Sequence, residues 1–412
     1  MPATAKGNFR VSVSSSDFSP SVGAAWISTW TAPAQPAWGA ELPFPTQLPS
    51  MAGACTVRQP LRISRGGQML RLVFSNEYGD TPLTLGLCRV ALREQGQVSA
   101  WADLTFGGSQ RVTLAAGERL HSDPLELPVP DLADLELAVY LPSAFTPTTF
   151  HWDARQTGSI EPSDRTGNEA ALPDAQPLNV RVLVNAVEVL GQGVTLAVIG
   201  DSLVNGHGLA KNSHGCWADL LACQLAPQGI AVINAGQSGG RLLRDRLGIS
   251  VLNRFERDVL SQPGVAMVIV QVGLNDLGWA DSVIEPGGAL PTLEALKAGY
   301  TALIEAAHGR GISVLGMTLT PFKGAFAGTP FEAFHQPGKD LLRHRLNRWM
   351  REDSGFDGVL DLDALLRDPH DPDRLQACHD SGDHLHPGHE GSQAIAQWLL
   401  QQPALTDWAR PL

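Results

Sequence analysis

Apolar positions along this chain follow two different rhythms, and the change falls at Gly191-Gln192-Gly193. Before it, from Trp26 to about Asn185, apolar residues come in short runs separated by turn signals. Arg71 to Ser75 stops at Asn76 to Gly79. Leu135 to Tyr140 alternates with period two and stops at Pro142. Arg181 to Asn185 and Val187 to Val189 alternate again. Period-two patterning puts successive side chains on opposite faces of a strand, and short strands without helical periodicity predict a β-sandwich or jelly roll.

After the boundary, apolar runs alternate with stretches of helical period. Strands are predicted near 196–199, 230–233, 265–272, 312–318 and 359–362, and helices near 217–225, 251–260, 293–308, 340–351 and 391–401. Parallel strands need crossover connections, so five such βα units predict a three-layer sheet with helices on both faces. The division expected is a flexible lead-in over 1–20, a β-sandwich domain over 21–190 and an α/β domain over 191–412.

A length of 412 residues exceeds one typical core and agrees with two domains. Apolar content of 43% and charged content of 17% exclude a disordered chain. The formal net charge of -12 argues against a nucleic-acid partner, which demands a clustered basic face. No apolar run approaches the roughly 20 residues of a membrane span. The stretch Met1 to Phe9 has no apolar core of a signal peptide, so the protein is expected to be cytoplasmic, or exported with its leader removed. Cys55, Cys88, Cys216, Cys223 and Cys378 are scattered and odd in number, which predicts buried free thiols rather than a disulfide framework or zinc site.

Four short blocks fall where strands of the second half should end: Gly200-Asp201-Ser202-Leu203, Asn234 to Gly240, Gly273-Leu274-Asn275-Asp276, and Asp383-His384-Leu385-His386-Pro387. Loops at the C-terminal edge of a parallel sheet open on one face, so their residues can converge. Together they contain the parts of acyl transfer. Ser202 supplies a hydroxyl that needs a base, and His386 titrates near neutrality. Asp383 sits three residues from His386 and can hold its far nitrogen. The N–H groups of Ser202 and Gly236 and the side-chain amide of Asn275 can receive a tetrahedral oxyanion. Such a base predicts activity that rises as pH passes through roughly 6 to 7.5.

These blocks resemble the signatures of the SGNH, or GDSL-type, hydrolase superfamily, over about residues 193–402 and in the right order. The resemblance implies a flavodoxin-like α/β/α domain in which Ser202, Gly236, Asn275 and His386 fill the four signature roles and Asp383 completes a triad. Asn234 to Leu243 and Arg254 to Leu260 resemble a bacterial subgroup whose hydrolase domain follows a β-rich domain, and Trp26 to Trp30 and Ser75-Asn76-Glu77 fit its look. That subgroup resembles lysophospholipase-like and carbohydrate-acetyl esterases. Asn205 stands where many relatives carry Asp, and Gly240 where many carry Asn; both are expected to alter the pocket wall.

Other readings compete for some of these residues. His379, His384, His386 and His389 beside Asp380, Asp383 and Glu390 raise a metal site, but one short loop would have to supply every ligand. Gly206-x-Gly208 lacks the third glycine of a dinucleotide loop. Asp276 is expected to stiffen its own loop, and Asp201 to act as a helix-start charge or to support the site. The Phe-rich segment from Pro321 to Gly338 reads as a lid or as packing against the first domain. Trp26, Trp30, Trp38, Trp101 and Trp152 read as packing, with a sugar-stacking platform as the alternative.

The expectation is a serine esterase acting on short-acyl esters, with O-acetyl groups on carbohydrate as a target and Ser202, Asp383 and His386 as triad, without cofactor or metal. Its partner is a small-molecule or carbohydrate ester. The alternatives are a lysophospholipase or acyltransferase with the same triad, and a glycan-binding protein with an inactive hydrolase domain.

Overall fold

The computed structural model describes residues 23–49, 51–168 and 170–409. The lead-in expected over 1–20 lies outside the described residues.

Two large antiparallel sheets, with two small ones beside them, build the first half. One joins β1 (Ala25–Thr31) and neighbours, and the other is centred on β2 (Cys55–Arg62). The first sheet also holds β3 (Met69–Ser75) and the later strand Val184–Gly191. The second adds β4 (Cys88–Glu94), β5 (Asp134–Leu141) and β6 (Gly158–Pro162). The strand Val184–Gly191, β7, closes the half and leads directly into the boundary glycines. Ile27, Leu72, Phe74, Val187 and Val189 of one sheet share a core with Val57, Leu61, Val90, Leu135, Leu137 and Val139 of the other, so the two sheets pack face to face. The outer face of the second sheet is not wet at its middle. Arg58 pairs with Glu161 at 2.7 Å with both side chains buried.

The second half is a five-stranded parallel sheet: β8 (Val194–Gly200), β9 (Ile230–Gly236), β10 (Val265–Gln271), β11 (Ser313–Met317) and β12 (Gly358–Leu360). The spatial order is β9-β8-β10-β11-β12, which places a topological switch between β8 and β10. Along β8, Ala197 and Ile199 face one helix layer and Leu196 and Val198 the other, as a doubly covered strand requires. The helices of this half include α1 (Ser202–Asn205), α2 (Trp217–Leu225), α3 (Val251–Phe255), α4 (Leu274–Gly278), α5 (Leu293–His308), α6 (Pro337–Asp353) and α7 (His389–Leu399). Helices α3, α5 and α6 cover one face, and α2 and α7 the other. In α5, Leu296, Tyr300, Leu303 and Ala307 form the buried stripe, and the Thr292 hydroxyl caps the start by accepting the Ala295 N–H at 3.1 Å.

Three of the boundaries that differ from the sequence pattern do so for clear physical reasons. The last strand ends at Leu360, because Asp361 turns the chain by capping a short helix that begins at Leu362. Helix α6 starts earlier than 340, since Pro337 fits the first turn. The helix expected over 251–260 is regular only to Phe255 and then widens, with the Ser261 N–H donating to Glu256 O at 2.8 Å. No helix among the described residues is long and apolar enough to cross a membrane.

The halves share a polar seam along β9, the edge strand. Ser64 Oγ accepts the Val232 N–H at 3.0 Å, and Thr31 Oγ1 donates to Asn234 O at 2.9 Å. The first half thereby covers an edge that would otherwise offer free strand groups. Cys55, Cys88 and Cys216 are buried free thiols as expected, but Cys223 is half-buried and Cys378 is exposed.

Candidate active site

The apolar run of β8 carries the chain to Gly200, where a Cβ would meet Gln271 O at 2.0 Å. Only glycine lets β8 and β10 stay paired while the chain turns out of the sheet. Asp201 then caps α1 by accepting the Leu203 N–H at 3.0 Å, and Gly206 ends the helix at φ 89°. Ser202 is therefore held at the C-terminal edge of the sheet. Burial pushes the Asp201 carboxyl up to about 7.

The loop after β12 meets it there. Ser202 Oγ lies 2.7 Å from His386 Nε2, and His386 Nδ1 lies 2.6 Å from Asp383 Oδ2. The other oxygen of Asp383 accepts the N–H groups of Leu385 at 3.0 Å and His386 at 2.8 Å, so one carboxylate shapes the loop and fixes the ring. Burial opposes its charge, but the His386 ring and these N–H groups hold its carboxyl well below the usual range. Burial lowers the His386 pKa, and the Asp383 contact offsets only part of that.

Gly236 and Asn275 also arrive at this edge, with different outcomes. Asn275 opens α4 and donates from Nδ2 to Gly240 O at 2.9 Å, leaving a second amide hydrogen uncommitted among the described residues. The Gly236 N–H is already spent, donating to Asn234 Oδ1 at 2.9 Å. Its Cα packs against α1, where an added Cβ would meet Asn205 N at 2.4 Å. Gly236 is thus a packing glycine rather than a donor. Three residues on, Gly239 sits at φ 79°, and its N–H has no hydrogen-bond partner among the described residues. Sequence reasoning missed it because both glycines lie in one block and only the Asn234 contact tells them apart.

Asp276 binds a neighbouring loop rather than its own. It accepts the N–H groups of Leu242 at 2.7 Å and Leu243 at 3.0 Å, and burial pushes its carboxyl up to about 6. Below the edge, buried Arg254 donates to Ala235 O at 2.7 Å and Gly200 O at 2.8 Å, tying the ends of β9 and β8 together.

Three further residues come from unexpected places. Asn205 lines a cavity between the two halves, beside His151 and Arg155. Its amide donates to Asp153 O at 3.0 Å and Ser238 Oγ at 3.1 Å, and its oxygen lies 3.0 Å from His151 Nε2. An Asp here would lose both donations, which accounts for the amide. Asp153 belongs to the β-rich half, and its Oδ2 accepts Ser238 Oγ at 3.0 Å and lies 2.7 Å from His207 Nδ1. The His207 ring stands 4.6 Å from that of His386. An Asp at φ 56° and a His five residues after Ser202 are faint signals, joined only by folding across 54 positions.

The histidine cluster does not converge as a metal site. His384 Nδ1 pairs with Asp380 at 2.5 Å, and Gln393 donates to His389 at 3.0 Å. Ligand atoms that do come together belong to His207, Asp383 and His386, and an ion there would have to replace the 2.6 Å Asp383–His386 contact. Asp340, His344 and Asp373 also meet, but the Arg343 guanidinium already fills that space. In the Phe-rich segment, Phe326 stands 6.3 Å from the His386 ring while Phe331 stacks on Phe44 of the first half at 5.0 Å. It serves as wall and as packing at once. Trp38 and Trp152 pack on each other, Trp26 lies under Arg71, Trp30 near Arg181 and Trp101 near Arg58, which fits packing rather than a sugar platform.

Comparison with known proteins finds a family match over part of the chain. Residues 198–394 match the GDSL-like Lipase/Acylhydrolase family. No curated protein sequence matches the chain. Similar solved structures include a GDSL-like lipase from Bacteroides thetaiotaomicron, 17% identical, covering 52% of this chain and 88% of its own at a TM-score of 0.39. An α/β hydrolase from the metagenome of Lake Arreo is 18% identical, with 52% and 95% covered and a TM-score of 0.37. An acetylxylan esterase from Geobacillus stearothermophilus is 21% identical, with 51% and 94% covered and a TM-score of 0.36. Over residues 198–394, this chain carries a domain of the GDSL-like lipase/acylhydrolase family.

Proposed function

We propose that the protein is a serine esterase that hydrolyses short-acyl carboxylic esters through an acyl-enzyme, with acetyl groups on a carbohydrate as a natural target. The observation that carries this is the unbroken line from Asp383 through His386 to Ser202, with contacts of 2.6 and 2.7 Å. Asp383 holds the proton of neutral His386 on Nδ1, which leaves the Nε2 lone pair facing the Ser202 hydroxyl. As Ser202 Oγ attacks the ester carbon, Nε2 takes its proton. The oxygen that becomes negative is received by the N–H groups of Ser202 and Gly239 and by the free amide hydrogen of Asn275, with Gly239 in place of Gly236. His386 then protonates the departing alcohol. Water, deprotonated by the same nitrogen, releases the acid and restores Ser202.

Ser202 and His386 are 6% and 3% exposed, and Phe326 flanks the base, which supports a small acyl group. On p-nitrophenyl esters of two to twelve carbons, kcat/KM is expected to peak at acetyl or propionyl and fall about tenfold or more by octanoyl. A peak at eight carbons or beyond would instead support a lipid esterase.

The base must be neutral to act, and burial lowers the His386 pKa from the ordinary 6.5. Lowering it keeps the ring neutral further into acid. The acid limb of a kcat/KM profile on p-nitrophenyl acetate is therefore expected with its midpoint below 6.5, in the lower part of the 6 to 7.5 range or beneath it. A midpoint above 6.5 would exclude His386 in this environment as the base.

A further inference from the structure

His207 takes no part in the proton transfers above, yet its ring lies 4.6 Å from His386, tilted by 54°. Asp153 Oδ2 holds its Nδ1 at 2.7 Å, and Arg155 Nη1 donates to the other Asp153 oxygen at 2.8 Å. Asp153 and His207 thus repeat the arrangement of Asp383 and His386. With Nδ1 directed at Asp153, His207 turns Nε2 outward. That nitrogen has no hydrogen-bond partner among the described residues, and the side chain is 42% exposed. Such care in orienting an exposed ring beside a reacting one calls for a ligand.

Chemistry says which part of the substrate lies there. His386 must hand its proton to the departing alcohol oxygen, so the alcohol half rests against His386 while the carbonyl oxygen lies among the N–H donors. A polar ring packed on His386 is next to the alcohol half. Arg155 balances the charge of Asp153, and the outward-facing Nε2 of His207 can hydrogen-bond a hydroxyl, a group that both donates and accepts. Burial works against the Asp153 charge, but His207, Arg155 and Ser238 hold its carboxyl down at about 2, so it stays an acceptor for the ring.

Resting on the esterase reading, we propose that His207, positioned by Asp153 of the β-rich half, hydrogen-bonds a hydroxyl on the alcohol half of the substrate and selects esters of polyhydroxylated alcohols. Asp153 is a positioning residue, and the β-rich half is then part of substrate recognition.

The test compares glycerol 1-monoacetate with its dideoxy analogue, propyl acetate. The full-length protein is expected to prefer the hydroxylated ester by about tenfold in kcat/KM, the worth of one good hydrogen bond. His207→Phe is expected to remove that preference, lowering kcat/KM on the hydroxylated ester about tenfold more than on propyl acetate, and His207→Gln to restore part of it. Asp153→Asn is expected to raise KM for the hydroxylated ester more than it lowers kcat. Equal losses on both esters, or none on either, would overturn the proposal. Should His207→Phe fail to fold, parity of the two esters with the unaltered protein overturns it as well. If Ser202→Ala kept its turnover on both esters, the esterase reading itself would fail, an outcome distinct from lost selectivity.

Discussion

Ser202→Ala is expected to lower kcat on p-nitrophenyl acetate by about 10⁴-fold or more, with circular dichroism and Tm unchanged. Ser202 Oγ makes one side-chain contact, to His386 Nε2, and its Cβ stays in place in alanine, so nothing in the packing of α1 is lost. What disappears is the hydroxyl that His386 Nε2 faces. His386→Ala is expected to cost a similar factor, because an unassisted serine is almost fully protonated and a poor nucleophile. The double variant should then be no worse than either single one, since both remove the same step. Turnover measured for the three variants on one preparation checks this. Losses that multiplied in the double variant would mean that the two residues act separately.

Arg254→Met is expected to destabilise the protein by about 3–5 kcal/mol, the usual consequence of breaking a buried charged pair. Arg254 is 1% exposed and donates to Gly200 O, Ala235 O and Asp258 Oδ2. Methionine matches its stem but takes one donor from each of two buried strand-end carbonyls, of which Gly200 O keeps the Gln237 N–H at 3.0 Å, and a lost buried hydrogen bond costs about 1–3 kcal/mol. Asp258 keeps a second partner in Arg257 at 2.6 Å, which keeps the loss from growing further. Those carbonyls precede Asp201 and Gly236, so kcat is expected to fall alongside stability as Ser202 loses its fixed seat. Chemical denaturation beside the unaltered protein checks the figure. A change under about 1 kcal/mol would show that β8 and β9 do not depend on this guanidinium.

Much of this architecture is legible in the residues themselves. The run Leu196 to Ile199 ending in Gly-Asp-Ser marks a strand exit because burial on both faces demands continuous apolar residues and the turn demands glycine. Asp383 and His386 are three positions apart, so one tight loop joins them and their pairing is readable locally. Harder features depend on which of several equivalent groups wins a partner. Gly236 and Gly239 look alike until Asn234 claims the N–H of the first. Asp276 is at hand for its own loop, yet the open N–H groups of Leu242 and Leu243 draw it across. Asp153 and His207 carry no local pattern at all. Their contact is made by the docking of the segment around residue 153 onto the loop after α1, where Arg155 also donates to Leu209 O and Asn212 N–H to Arg155 O. Sequence patterns report local periodicity, and this contact is made between elements.

A fluorophosphonate reacts only with a serine whose hydroxyl is activated by a neighbouring base, so mapping its adduct by peptide mass spectrometry tests the central claim most directly. The account predicts one phosphonate per chain, on the peptide containing Ser202, abolished in Ser202→Ala and strongly slowed in His386→Ala. Labelling of a different residue, or undiminished labelling of Ser202→Ala, would contradict it.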